Sequence, residues 1–173
     1  MNKKDFSRNC LAQALLELLE DHEYEDISIQ DIVDKAGFSR MAYYRNFKSK
    51  DEVIDYALDN AFNTFVKESK ISFKNMGLEV FIETLFKWFA STEMINVTKK
   101  LLKRHLMGHM YNQFVKRVQG GFIPNQSHYI YDYIGGGIFA VYISWIMGDF
   151  KESPEEMARL AVNFSTMRKN TAD

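Results

Sequence analysis

The chain has 173 residues, 46% of them hydrophobic, and a formal net charge of −1, which is enough for one compact unit, or a small module on a larger one, with a real buried core. Cys10 is the only cysteine. A disulfide scaffold or a cysteine-based zinc site within one chain is therefore excluded, and a reducing cytoplasm is the expected compartment.

The opening stretch, MNKKDFSRNC, turns amphipathic instead of staying apolar, so no signal peptide is expected there. In the first helix Phe6, Leu11, Leu15, Leu18 and Leu19 recur at helical spacing, and it ends near DHEYED. Ser28 caps a short second helix, with Asp31 three residues on as a variant capping box and Ile29, Ile32, Val33 and Ala36 on its buried side. Gly37 stops that helix where a left-handed conformation is cheapest. Ser39 caps a third helix running to about Asn46, and SKDE, from Ser49 to Glu52, is a full capping box with acids in the first turn. The fourth helix carries a stripe of Val53, Ile54, Ala57, Leu58, Ala61, Phe62, Phe65 and Val66, enough for about five turns.

Farther along, Leu78, Phe81, Ile82, Leu85, Phe86 and Phe89 mark another amphipathic helix. Met94 to Val118 holds one or two more, and QGGFIPNQS breaks the pattern. An uncharged run of 16 residues between Asp132 and Asp149 is short of the roughly 20 that a bilayer span needs. Ser127 to Phe150 is expected as a buried helix. SPEE, from Ser153 to Glu156, places a capping serine, a proline at the first helical position and a glutamate at the third, opening a last helix to about Arg168. With no strand pattern or repeat, the expected fold is all-α, with about nine helices.

Net charge conceals a local pattern. Residues 1–60 hold 8 basic and 13 acidic side chains, yet AGFSRMAYYRNFKSK, Ala36 to Lys50, contains Arg40, Arg45, Lys48 and Lys50 and no acid, with Lys35 just before it. A localised patch says more about partners than the net value does. Two short helices about a glycine turn, followed by a long one, make a helix-turn-helix, whose second helix is the one offered to the major groove of DNA. Arg40 and Arg45 suit bidentate bonds to guanine, and Met41 and Ala42 suit a thymine methyl. Tyr44, Asn46, Lys48 and Lys50 suit phosphates. Phe38 and Phe47 are expected to pack inward, and Tyr43 fits either side. The competing reading is a basic, solvated loop between core helices.

The stretch DISIQDIVDKAGFSRMAYYRNFKSKDEVI resembles the DNA-binding domain of the tetracycline-repressor (TetR) family. Ser28, Ala36, Gly37, Phe38, Ser39, Tyr44, Phe47, Lys50, Asp51 and Glu52 carry the resemblance. It implies base contacts at Gln30, Arg40, Met41, Ala42, Tyr44 and Arg45, and backbone contacts at Ser28, Ser39, Asn46 and Lys50. Asn46 departs from the family's usual histidine. The implied division is a DNA-binding domain over 1–48 and a dimerisation and effector domain over 49–173. The implied function is a transcriptional regulator, a repressor, bound as a homodimer to an inverted-repeat operator of double-stranded DNA.

The stretch YIYDYIGGGIFAVYISWIMGDFKESPEEMA is similar to the C-terminal part of regulators of the dihydroxyacetone-kinase operon activator type. Three glycines in a helix cost about 1 kcal/mol each relative to alanine, so Gly135, Gly136 and Gly137 are expected to permit close contact with another backbone. A four-helix bundle between two copies would use them with Val141, Trp145, Leu160 and Phe164; the alternative is a core helix within one chain. Phe62, Phe86, Phe89, His105, Met110 and Tyr111 are the candidate walls of an effector pocket, for a small apolar effector, unless a protein co-regulator takes that role. Plain core is the other reading of those aromatics and methionines. His105 and His109 share a helix face, but no carboxylate lies near them in sequence and no metal is expected. The basic run KKLLKRH, Lys99 to His105, reads as a solvated face.

No Gly-rich phosphate loop, nucleophile elbow or activated cysteine is present, so neither an enzyme nor a bound cofactor is expected, and no membrane partner. The reading from a different class is a helical module that regulates a protein partner without touching DNA.

Overall fold

Serine caps and apolar spacing set the helix boundaries most closely in the first third of the chain. In a computed structural model, which describes residues 3–68, 78–121 and 127–166, the helices are α1 (Lys3–Leu18), α2 (Ile29–Ala36), α3 (Arg40–Asn46), α4 (Lys50–Glu68), α5 (Leu78–Phe89), α6 (Thr92–Lys103), α7 (Met107–Gly121), α8 (His128–Met147) and α9 (Pro154–Thr166). Among the described residues there is no strand. Met94 to Val118 resolves into two helices. The expected end of the last helix near Arg168 lies outside the described residues.

The caps work as the sequence implies, with one variation. Ser28 accepts from the Asp31 N–H while Asp31 accepts from the Ser28 N–H, a reciprocal box. Ser153 and Glu156 do the same at α9. At α4, Ser49 accepts from the Glu52 N–H, but the Glu52 carboxylate accepts from Lys48 N–H, one residue earlier than the motif predicts.

The chain divides into two compact units, Met1–Thr64 with Val97–Met110, and Phe65–Asn96 with Tyr111–Asp173. Neither coincides with the spans 1–48 and 49–173, because the first turns of α4 are bonded into the N-terminal unit. The Tyr56 hydroxyl donates to Asn9 (2.6 Å), the Tyr24 hydroxyl donates to Asp51 (2.6 Å), and Val53, Ile54 and Leu58 are buried.

The N-terminal unit packs α1, α2 and α3 against one another, around Leu11, Leu15, Leu19, Ile32, Val33, Tyr43 and Phe47. Phe6 stands outside it, exposed on the first turns of α1. Val97–Met110 joins this unit through the run expected to be a solvated face. Arg104 is buried; its Nε donates to the Leu19 carbonyl (3.0 Å), its Nη2 to the Glu20 carbonyl (3.1 Å), and its Nη1 to the Glu23 carboxylate. Lys100 pairs with Glu20 at 2.6 Å. A guanidinium near the C-terminus of α1 satisfies carbonyls that the helix itself leaves without donors. Lys100, Leu101 and Arg104 are thus engaged within the unit, while Lys99, Leu102, Lys103 and His105 stay exposed.

In the C-terminal unit α5 packs chiefly on α9, and aromatic rings fill the core. Phe89 stacks on Tyr142 (centroids 3.9 Å) and meets Phe114 at 5.9 Å, and Phe86 sets its ring against Trp145 at 5.6 Å. Helix α8, at 20 residues, is long and apolar enough by length and composition to cross a membrane, which the shorter uncharged run did not suggest. Here its Tyr131, Gly135, Ile138, Tyr142, Trp145 and Ile146 are buried within the unit.

Candidate nucleic-acid interface

Helices α2 and α3 are held at their angle by the turn between them. Gly37 adopts φ 72°, ψ 33°, the left-handed region, with its N–H on the Asp34 carbonyl and the Phe38 N–H on that of Val33 (2.9 Å). Ser39 then accepts from the Ala42 N–H and starts α3. On the inner side of α3, Tyr43 and Phe47 are fully buried, which settles Tyr43 as core. Burial pushes its phenol up to about 12. The Arg8 guanidinium lies over the Phe47 and Tyr56 rings at 4.9 and 4.1 Å, bracing that core from α1.

The outer side of α3 presents Arg40, Met41, Tyr44 and Arg45, all exposed. Met41 and Tyr44 are 64% and 60% exposed, although both are large and apolar enough to be buried had the fold used them as core. An arginine pair flanking two exposed apolar side chains on a short capped helix has the composition of a surface that meets base edges. Arg45 Nη2 donates to Met41 Sδ (3.2 Å), and Arg40 Nε donates to Gln30 Oε1 (2.6 Å). Ala42 lies partly exposed beside them.

Two of the expected phosphate contacts are placed differently. Lys50 donates from Nζ to the Tyr24 carbonyl (2.5 Å) and the Ile27 carbonyl (2.6 Å) and sits 4.4 Å from the Tyr24 ring. Its charge ties the α1–α2 connection to the start of α4. Asn46 donates from Nδ2 to the Ala42 carbonyl (2.8 Å) and Ser7 (3.2 Å), so its amide is turned into the head. The Ser28 hydroxyl donates to Asp31, while Ser39 and Lys48 remain exposed.

The remaining candidates divide between the two units. Phe86 and Phe89 are fully buried in ring contacts of the C-terminal unit, whose α7 also carries the half-buried Tyr111. Phe62, His105 and Met110 belong to the N-terminal unit, where Met110 receives a bond from Thr98 and His105 is exposed at φ 57°. Of the expected bundle residues, Gly135 is used inside the chain: a Cβ there would lie 3.0 Å from Val115 Cγ2 on α7. Gly136 faces Tyr111, and Trp145 is buried, its indole N–H on the Glu152 carbonyl (3.0 Å). Val141 is half-buried, Gly137 and Leu160 are exposed, and the Phe164 side chain lies outside the described residues.

Three features escaped the sequence reading. Asp34 accepts from Gln30 Nε2 (2.6 Å), a pair that the four-residue spacing on α2 permits. Arg104 and His109 carry no such signal. His109 sets Nδ1 2.9 Å from Asp55 and Nε2 3.4 Å from Asp51, carboxylates more than fifty residues earlier in the chain. Among the described residues no group of histidine, cysteine and acidic side chains could hold a metal ion.

Two family models match. One, described as bacterial regulatory proteins of the tetR family, covers residues 11–57, and one described as a transcriptional regulator C-terminal region covers 79–166. The HTH-type dhaKLM operon transcriptional activator DhaS of Lactococcus lactis subsp. lactis (strain IL1403) is 25% identical over 69 residues, 40% of this chain and 37% of that protein. Among solved structures, the dihydroxyacetone kinase operon activator DhaS aligns with a TM-score of 0.58 at 17% identity, over 94% of this chain and 95% of that one. A TetR transcriptional regulator from Streptococcus agalactiae 2603V aligns with a TM-score of 0.62 at 13% identity, over 94% of each chain. The regulator FadR from Bacillus subtilis, solved with stearoyl-CoA, aligns at 0.51 and 15% identity, over 90% of this chain and 96% of that one. At such identities the structural likeness is one of fold.

Proposed function

The chain belongs to the TetR family of bacterial regulatory proteins, and from that premise we propose that two copies of it bind an inverted-repeat operator, each setting α3 in the major groove. The observation that carries this reading is the outer side of α3, where Arg40, Met41, Tyr44 and Arg45 stand exposed above a core that holds the helix rigid. Arg40 and Arg45 read bases; Ser39 and Lys48 serve the phosphates. Lys50 and Asn46 act from inside the head.

The homodimer is supported by a stripe down α8: Tyr129, Tyr133, Gly137, Ala140, Ser144 and Met147 recur every three or four residues and all are exposed. Tyr129, Tyr133 and Met147 are 72%, 82% and 73% exposed, a patch larger than a soluble surface helix needs. A two-fold partner laid along it, with Leu160 of α9 beside it, gives two heads on one operator. Operator affinity is modulated by a small apolar effector or a protein co-regulator. The match to a regulator C-terminal region and the fold shared with a FadR solved with stearoyl-CoA support this. Repression is the expected sign of control, whereas the relative from Lactococcus is named an activator; a reporter fused to the selected operator separates the two.

The test is selection of bound duplexes from a random pool, followed by titration at several salt concentrations. An inverted repeat should emerge, bound by a species of dimer mass in light scattering. Lys48→Ala should weaken every duplex alike and reduce the salt slope by about one. Lys50→Ala should lower the melting temperature and leave that slope as it was. A wild type that selects no duplex even at low salt refutes the reading, and favours a module acting on a protein partner.

A further inference from the structure

The arginine at the start of α3 does not stand alone. Its Nε–H donates to Gln30 Oε1 at 2.6 Å, and the Gln30 amide donates in turn from Nε2 to Asp34 Oδ1 at 2.6 Å. The three side chains form a relay across the turn, from the last turn of α2 to the first residue of α3. Each bond has its direction set by chemistry: a carboxylate only accepts, a guanidinium only donates, and the amide between them has one orientation that satisfies both. The basic neighbour of Asp34, Lys35, is drawn to Glu17 of α1 at 3.1 Å, so among the described residues Gln30 is the side chain that Asp34 engages.

We infer that Asp34 is a specificity-determining residue: acting through Gln30, it orients the guanidinium of Arg40 to read a guanine. The inference rests on the DNA-binding assignment and deepens it. A guanidinium is planar, so fixing Nε fixes the plane of Nη1 and Nη2, the two donors that match guanine O6 and N7. An arginine free to turn finds phosphates as readily as bases, and phosphate contacts carry no sequence information. The relay removes that freedom before DNA arrives. It also commits the Gln30 amide, which free would itself suit the N6 and N7 of adenine. Gln30 is thereby a positioning residue, not a base reader. The acid has a second effect, since a negative charge beside the reading surface weakens attachment to DNA of any sequence.

The experiment uses the full-length protein and the operator selected from the random pool, with each half-site position substituted in turn. Arg40→Ala identifies one guanine position by abolishing the preference there, a preference that a bidentate pair sets at about 5- to 150-fold. Asp34→Ala and Gln30→Ala should each cut discrimination at that same position about tenfold, leave the other positions as in wild type, and leave the melting temperature nearly unchanged. Asp34→Asn retains an acceptor for Gln30 and should keep most of the discrimination, while binding random duplex more tightly than wild type. The relay is overturned if Asp34→Ala discriminates as well as wild type, if Asp34→Asn is as damaging as Asp34→Ala, or if Gln30→Ala spares the preference. A wild type that selects no duplex overturns the DNA assignment itself, a result distinct from selection of an operator that Asp34 does not sharpen.

Discussion

The N-terminal head and the C-terminal unit are both helical, yet they are held by different forces. In the head, α2, α3 and α4 begin at serine caps whose partners lie three residues away, and α2 ends on a left-handed glycine. The C-terminal unit relies on rings brought from three helices, Phe89 of α5 meeting Phe114 of α7 and Tyr142 of α8, and a buried α9 face of Met157, Ala158 and Ala161 closes it. Local hydrogen bonds set where a short helix starts and points, which a reading helix needs. Area burial is non-directional and tolerates drift in sequence.

That contrast predicts a ranking of stability effects. The largest belongs to Phe89→Ala, which empties a stacked, fully buried ring position and should cost about 3–5 kcal/mol in urea unfolding; a loss under 1 kcal/mol would mean that the ring core is not what holds the unit. Next come the glycines of α8. Alanine at Gly137 meets nothing of its own chain within 4 Å, so within one chain it should gain up to about 1 kcal/mol of helix propensity. Alanine at Gly135 must move Val115 on α7, and should leave the protein about 1–3 kcal/mol less stable than the Gly137 variant. Equal melting temperatures for the two would refute the close approach of α7 and α8.

The smallest effect is Ser28→Ala in the head, about 1 kcal/mol by thermal melting near neutral pH. It carries a pH signature. Hydrogen bonds from the Ser28 hydroxyl and then its backbone N–H hold the Asp31 carboxyl below its usual value. A carboxyl lowered by folding contributes stability fully above the unfolded value, about pH 4, and loses it as pH falls through the lower folded one. The Ser28→Ala variant should therefore lose less stability on acidification than wild type. An acid limb as steep as that of wild type would remove the capping box from the account.

The same contrast explains what was legible. Ser28, Asp31, Gly37, Ser39 and Ser153 act on neighbours within a turn, so their spacing states their role; the apolar stripes of α4 and α5 did likewise for burial. The candidate surface was legible where it depended on residue type: Arg40, Met41, Tyr44 and Arg45 are exposed on one helix. It was not legible for Lys50 and Asn46, whose partners are carbonyls and a serine that only folding brings near. Nor could spacing show that Arg104 of KKLLKRH docks just past the end of α1, since it meets Leu19 and Glu23 more than eighty positions away.

By itself the sequence determined about nine helical segments, with Met94 to Val118 left as one or two, the serine caps of α2, α3, α4 and α9, an all-α class, and a basic patch on a helix-turn-helix, because propensity, capping and periodicity act within one or two turns. Tertiary structure alone decided which charges are spent internally: Lys50 on backbone carbonyls, Arg104 on the end of α1, His109 between Asp51 and Asp55. It also decided that Gly135 admits α7 of its own chain. A cation or a glycine has no intrinsic partner; distance chooses one, and distance between remote residues exists only once the chain has folded.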